Sequence, residues 1–308
     1  MVTIHSIKGQ LNPAPPFDLE KSLDFLSVFP PMNGEQNLAP RALTKAVSIR
    51  GRTVVFQLGS SGTFDAPHLD YTLHAQDDID QSLVLAAEDR IRFFLSLDDD
   101  LRSFYETGLS DAAFAPVIRR LYGLHQVKFL TPFEIACWLV INRRTSPALA
   151  KRAKDALVQQ FGGALEIDGT LYRAFPEPDQ MAEVSPEELR ALIKNDQKAE
   201  YLLAVIRAFN QVDEKFLRTG EYAKVREWLL SIKGIGDWST HFIMLRGLGR
   251  MELVPSLRKS AYEERLIEAV TRVYAPGKTL GPEGIEQLAR RYGEMQGYWA
   301  YYLRAATD

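Results

Sequence analysis

Leu230-Ser-Ile-Lys-Gly-Ile-Gly-Asp-Trp-Ser-Thr-His-Phe-Ile-Met-Leu-Arg-Gly247 is the stretch from which the rest of the chain can be read. It reads as a helix ending at Ile232, a tight turn through Gly234-Ile235-Gly236, and a second helix from about Asp237 to Arg246. Two glycines flanking one aliphatic residue let the backbone turn with positive φ, while Ile235 plugs the gap between the helices. The second helix opens with unpaired N–H groups, which favour an anion. This predicts a phosphate-binding hairpin. No strand precedes it, so its Gly-x-Gly is not a nucleotide-binding fingerprint.

Outward from the hairpin, the totals set limits. With 308 residues and 46% hydrophobic content, the chain can bury a large core in two or three domains. No run approaches the length of a membrane helix, and the amino terminus lacks a signal pattern, which predicts a soluble, cytoplasmic protein of bacterial type. The single cysteine, Cys137, lies in the apolar run Phe133 to Ile141. It excludes an internal disulfide and a four-cysteine iron–sulfur cluster, and reads as a core residue. No His/Cys/Asp/Glu spacing suggests a metal site. The net charge of −3 is uneven: residues 1–100 hold 8 Lys/Arg against 14 Asp/Glu, leaving the rest at +3. A mildly basic carboxy-terminal two-thirds suits a modest, salt-sensitive grip on nucleic acid.

Upstream, the prolines at 13, 15 and 16 predict an extended start, and Asp18 to Phe29 is a strand or a short helix. Strands follow at Arg41 to Ile49, Thr53 to Leu58 and Leu69 to Ala75, the first two joined through Arg50-Gly51-Arg52. From Ile79 the apolar period becomes helical, and no strand is expected beyond it. Helices are predicted through Leu83 to Leu95, Ala113 to Leu121, Phe133 to Ile141 and Pro147 to Phe161, with Gly162 to Phe175 as the longest irregular loop. Ser185-Pro-Glu-Glu188 is a capping box that starts another. Later helices fall at Lys198 to Phe209, Glu221 to Ile232, Tyr262 to Tyr274, Pro282 to Tyr292 and Gly297 to Ala305.

The pattern Gly234-Ile-Gly-Asp-Trp-Ser239, continued by Leu245-Arg-Gly247, resembles the helix-hairpin-helix DNA glycosylase superfamily. Within it, the pattern is most similar to the 3-methyladenine DNA glycosylase II (AlkA-like) branch, over about Phe133 to Leu303. The resemblance implies an α+β fold: a small antiparallel β-sheet domain over residues 1–100, then a mainly α-helical glycosylase domain over 101–308.

It also implies site residues. Lys233, Gly234, Gly236 and Ser239 would hold a backbone phosphate, while Asp237 brings negative charge to that turn and has an ordinary use as a helix N-cap. Ile141-Asn-Arg-Arg-Thr-Ser146 resembles the link that carries the residue filling the gap left by a flipped base. There Arg143 or Arg144 would fill that gap or contact phosphate, or would simply be solvated. Trp238 and Phe242 fall in the aromatic pocket that stacks an electron-poor alkylated base, or else pack as an ordinary helix face. Strand-nicking glycosylases carry a Schiff-base lysine at the place of Trp238, so a monofunctional enzyme is implied.

Two departures stand out. In Tyr292-Gly-Glu-Met-Gln-Gly-Tyr-Trp299 the pocket tryptophan's place falls on Met295. Counted from Gly234, the family's acidic segment falls on Val254-Pro-Ser-Leu257, which holds no carboxylate. Anchored instead on the following helix, the acid's place falls on Glu263 or Glu264, although Ser260-Ala-Tyr-Glu263 also reads as a capping box, and Glu252 is a further candidate. The expected function is base-excision repair of alkylated purines in duplex DNA, by a monomer without a membrane partner. No cofactor is expected beyond a monovalent cation between hairpin carbonyls and phosphate. The rival is a DNA-binding protein on this fold that recognises lesions without cleaving them.

Overall fold

We describe the protein from a computed structural model over residues 3–253, 261–278 and 280–306, with residues 261–263 described by their backbone alone. The chain opens with strand β1 (His5–Leu11) and helix α1 (Leu19–Val28), which resolves the alternatives for Asp18 to Phe29 in favour of helix. Asp18 is its N-cap, its carboxylate accepting from the Glu20 amide. Strands β2 (Gln36–Ala39), β3 (Ala42–Ile49), β4 (Arg52–Gly62) and β5 (Pro67–Ala75) complete an antiparallel sheet in the order β1-β5-β4-β3-β2. Arg50 and Gly51, both at positive φ, form the β3–β4 turn. The edge strands β1 and β2 escaped the sequence reading because each is short or alternates polar with apolar residues weakly.

The inner face of the sheet presents Leu43, Val47, Val54, Phe56, Leu58, Leu69 and Leu73 to the main core. Helix α2 (Gln81–Leu95) covers part of it. Helices α3 (Arg102–Ser110) and α4 (Ala115–Arg120) instead join a second core. The chain returns to the first core with the nearly all-buried α5 (Pro132–Asn142), in which Cys137 is fully enclosed, and with α6 (Pro147–Phe161).

The segment expected to be an irregular loop is a β-hairpin, and strands do occur after Ile79. Strands β6 (Ala164–Ile167) and β7 (Thr170–Arg173) pair around Asp168 and Gly169, both at positive φ. An Asp-Gly pair between short apolar runs is the signal that was overlooked. Leu165, Ile167 and Tyr172 close over Ala46 and Val55 on the outer face of the sheet, so tertiary packing stabilises two strands too short to stand alone.

The remaining helices are α7 (Pro186–Ile193), α8 (Asp196–Phe209), α9 (Glu214–Thr219), α10 (Tyr222–Ser231), α11 (Asp237–Phe242), α12 (Ala261–Tyr274), α13 (Pro282–Arg290) and α14 (Gln296–Ala305). The Ser185–Glu188 capping box forms in both directions. Helix α11 continues into one π-helical turn, Ile243–Gly247. There the buried Arg246 guanidinium lies 4.6 Å from the Phe25 ring of α1, 5.1 Å from the ring of its C-cap Phe29 and 5.3 Å from Tyr301 of α14.

A buried polar network fastens sheet to helices. The fully buried Lys154 ammonium of α6 meets Glu134 of α5 at 2.7 Å, Glu35 at 2.6 Å and the Pro31 carbonyl at 3.0 Å. Burial of Glu35 opposes its ionisation, yet Lys154 and Lys45 together hold its carboxyl below the usual range. No helix among the described residues is long and apolar enough to cross a membrane.

Candidate nucleic-acid interface

Helix α10 ends at Ser231 with Ile232 as C-cap, and the Ile235 amide donates to the Ile232 carbonyl across the turn. Ile235 is buried in the main core. Only one of the two glycines is conformationally required. Gly234 sits at φ +96°, and a Cβ there would stand 2.4 Å from Cγ of Tyr201. Gly236 is extended at φ −104° and ψ −179°, with nothing within 4 Å of where its Cβ would be. Gly236, not Asp237, is the N-cap of α11. Asp237 is the first helical residue, and its carboxylate pairs with Arg226 of α10 at 2.6 Å. Arg226 thus offsets the one negative charge in the turn.

No described residue accepts from the amides of Gly236, Asp237, Trp238 or Ser239, and these four residues line one cleft, so their amides are available to an anion. Ile232 and Gly236 carbonyls accept from Ile235 and Thr240. Those of Lys233, Gly234 and Ile235 accept from no described residue, which leaves the turn oxygens fit to hold a monovalent cation. Among the described residues no group of His, Cys, Asp and Glu could hold a metal ion.

The hairpin forms one wall of a cleft of 440 Å³, through Gly234, Gly236, Asp237, Trp238 and Ser239. The other wall is the end of α5 and the turn after it, with Leu139, Asn142, Arg143 and Arg144. Two segments far apart in sequence, both singled out from it, therefore meet. Arg143 and Arg144 are exposed, and Arg144 holds a positive φ of 49°. Lys233 is not part of the lining; its ammonium pairs with Glu200 of α8 at 2.5 Å. Both partners are more than half exposed, so a phosphate can exchange with Glu200 at little cost.

Trp238 is 42% exposed and stacks on Phe242, with ring centroids 5.3 Å apart and planes at 14°. Phe242 is partly buried against the main core. Between them, burial together with Arg304 and Arg226 pushes His241 down to about 4, so its imidazole is neutral at physiological pH. Met295 lies on a turn before α14, packed against the second core, and does not line the cleft.

No family model matches the chain. A DNA-3-methyladenine glycosylase of Bacillus subtilis is 26% identical over 215 residues, covering 69% of each chain. The solved 3-methyladenine DNA-glycosylase of Archaeoglobus fulgidus superposes with a TM-score of 0.77 at 19% identity, over 96% of this chain and 97% of that one. The Clostridium acetobutylicum 8-oxoguanine glycosylase/lyase, solved in complex with double-stranded DNA, gives 0.66 at 17% identity over 98% and 97%. Over most of its length the chain is similar to DNA-3-methyladenine glycosylases, and it has the fold of these solved DNA glycosylases.

The acidic positions expected from the sequence fall only partly within the described residues. The segment Val254 to Ser260 and the side chain of Glu263 lie outside the described residues, the capping box at Ser260 with them. Glu264 is exposed on α12 and does not line the cleft. Glu252 is held by Arg250, whose Nε and Nη2 both lie 2.7 Å from Oε1. Sequence reasoning missed Tyr201, Lys198 and Arg226, which touch the hairpin or the α5–α6 turn. They carry no motif, and only their contacts mark them.

Proposed function

We propose that the protein is a monofunctional DNA glycosylase of base-excision repair that hydrolyses the N-glycosidic bond of alkylated purines, 3-methyladenine among them, in duplex DNA. One observation carries this reading: an exposed tryptophan, backed by Phe242, stands on the hairpin wall where a strand-nicking enzyme would present a lysine amine. An aromatic face suits a flipped base whose ring carries positive charge, because the π-cloud attracts the cation. Hairpin amides and Lys233 would hold one phosphate, and Arg143 or Arg144 would fill the vacated stack or grip the backbone. A carboxylate stabilises the oxocarbenium-like state and activates water. We assign it to Glu263 or Glu264. The protein would work as a cytoplasmic monomer with no membrane partner and no cofactor beyond a cation at the hairpin.

A second reading is favoured by the exposure of Glu264 and by the grip of Arg250 on Glu252: a protein that binds lesions or distortions without cleaving. Release of free methylated bases from alkylated duplex DNA separates the two. Release that is lost in Glu263→Gln or in Glu264→Gln supports the enzyme and identifies its carboxylate. Binding without release by the unaltered protein supports the binder.

A further inference from the structure

Both walls of the cleft are fastened to α8. The Lys198 ammonium donates to the Ile141 carbonyl at 2.6 Å and to Thr145 Oγ1, closing the turn that carries Arg143 and Arg144. Three residues on and on the same helix face, the Tyr201 ring lies 5.8 Å from the Arg143 guanidinium. That ring also packs against the α-carbon of Gly234, closely enough that no side chain fits between them. Between these two residues Glu200 pairs with Lys233. One helix thus holds the backbone of the first wall, the lysine beside it and the turn of the second.

We propose that Lys198 and Tyr201 are positioning residues of the DNA-binding cleft: Tyr201 fixes Arg143 relative to the hairpin, and Lys198 fixes the turn that presents it. This rests on the glycosylase reading only in taking the cleft as the DNA-binding surface. The physical argument is preorganisation. Arginine side chains in an irregular turn lose rotamer freedom on binding, and contacts that order them beforehand remove that loss. Partial burial also holds the Lys198 ammonium below the usual lysine range, in keeping with a side chain turned toward the Ile141 carbonyl and Thr145.

The test is equilibrium binding of the full chain to a duplex with a tetrahydrofuran abasic-site analogue, in a double-mutant cycle. Tyr201→Leu should weaken binding about threefold to tenfold, and Tyr201→Phe, which keeps the ring, by less than about twofold. In the Arg143→Ala background Tyr201→Leu should cost little more, because the residue it positions is gone. Equal losses in both backgrounds would overturn the positioning role while leaving the glycosylase reading intact. Should Tyr201→Leu fold poorly, Lys198→Met tests the same idea from the other wall, with Lys198→Arg expected to restore binding. Wild-type-like binding by Lys198→Met would count against the proposal. Failure of the unaltered protein to bind duplex would overturn the reading of the cleft and this inference with it.

Discussion

The two glycines of the hairpin should behave in opposite ways when each receives a single methyl group. Gly234→Ala forces φ +96° on a residue with a Cβ and drives that carbon to 2.4 Å from the Tyr201 ring. The backbone term costs about 1 kcal/mol, and the overlap with a ring already packed on the core adds about 1–3 kcal/mol. With an unfolding entropy of about 2 cal/mol/K per residue, the chain's 308 residues translate this into a fall in Tm of about 3–6 °C. Gly236→Ala meets no atom within 4 Å and keeps an ordinary extended φ, so stability should stay within about 0.5 kcal/mol of wild type. Its methyl group, however, enters the cleft beside the open amides. Loss of one amide–phosphate bond there is worth about 1.5 kcal/mol, or roughly tenfold in Kd for duplex DNA. Calorimetric melting and fluorescence-anisotropy titration of the same preparations measure the two effects. Equal melting points for the two variants, or wild-type affinity in Gly236→Ala, would refute the assignment of Gly234 to folding and Gly236 to ligand.

Other outcomes follow from the same geometry. Trp238→Ala should leave melting nearly unchanged, because the ring is 42% exposed, while lowering release of alkylated bases by about fivefold to 150-fold, since one base stack is worth about 1–3 kcal/mol; unchanged release would remove Trp238 from the pocket. Duplex affinity should fall with salt, and Arg144→Ala should reduce the slope of log K against log salt by about one, as expected for one phosphate contact; an unaltered slope would place Arg144 off the DNA. Lys154→Met leaves the buried Glu134 carboxylate without its cation and Glu35 with Lys45 alone, and should cost about 3–5 kcal/mol in urea denaturation, with partial recovery in Glu134→Gln/Lys154→Met. Glu35, and likewise Glu214 of α9, which pairs with Arg90 at 2.8 Å and with Arg218 at 2.5 Å, ionise more readily folded than unfolded, so their contribution is complete above the unfolded value of 4.5. It is lost as pH falls through the lower folded values, and the urea midpoint should decline below about pH 5. A midpoint flat down to pH 3 would contradict the network.

Local chemistry made the hairpin legible. Ile235 had to be buried, Gly234 had to turn, and the helix after Gly236 had to open with free amides, because each is dictated by residues within one turn of it. The capping box at Ser185 and the buried Cys137 were readable for the same reason. Sequence alone also set Trp238 where a lysine would otherwise stand, and with it the kind of chemistry to propose. It left open whether Asp18 to Phe29 was helix or strand, because twelve residues of irregular apolar spacing fit either period.

Tertiary structure decided what depends on partners. Leu165, Ile167 and Tyr172 became strand residues because Ala46 and Val55 lie beneath them. Asp237 was freed from capping by Gly236 and balanced by Arg226, a pairing that no spacing rule announces. Arg143 and Gly234 share one cleft because Tyr201 of a third helix touches both, and a contact between residues distant in the chain leaves no periodic trace in the sequence.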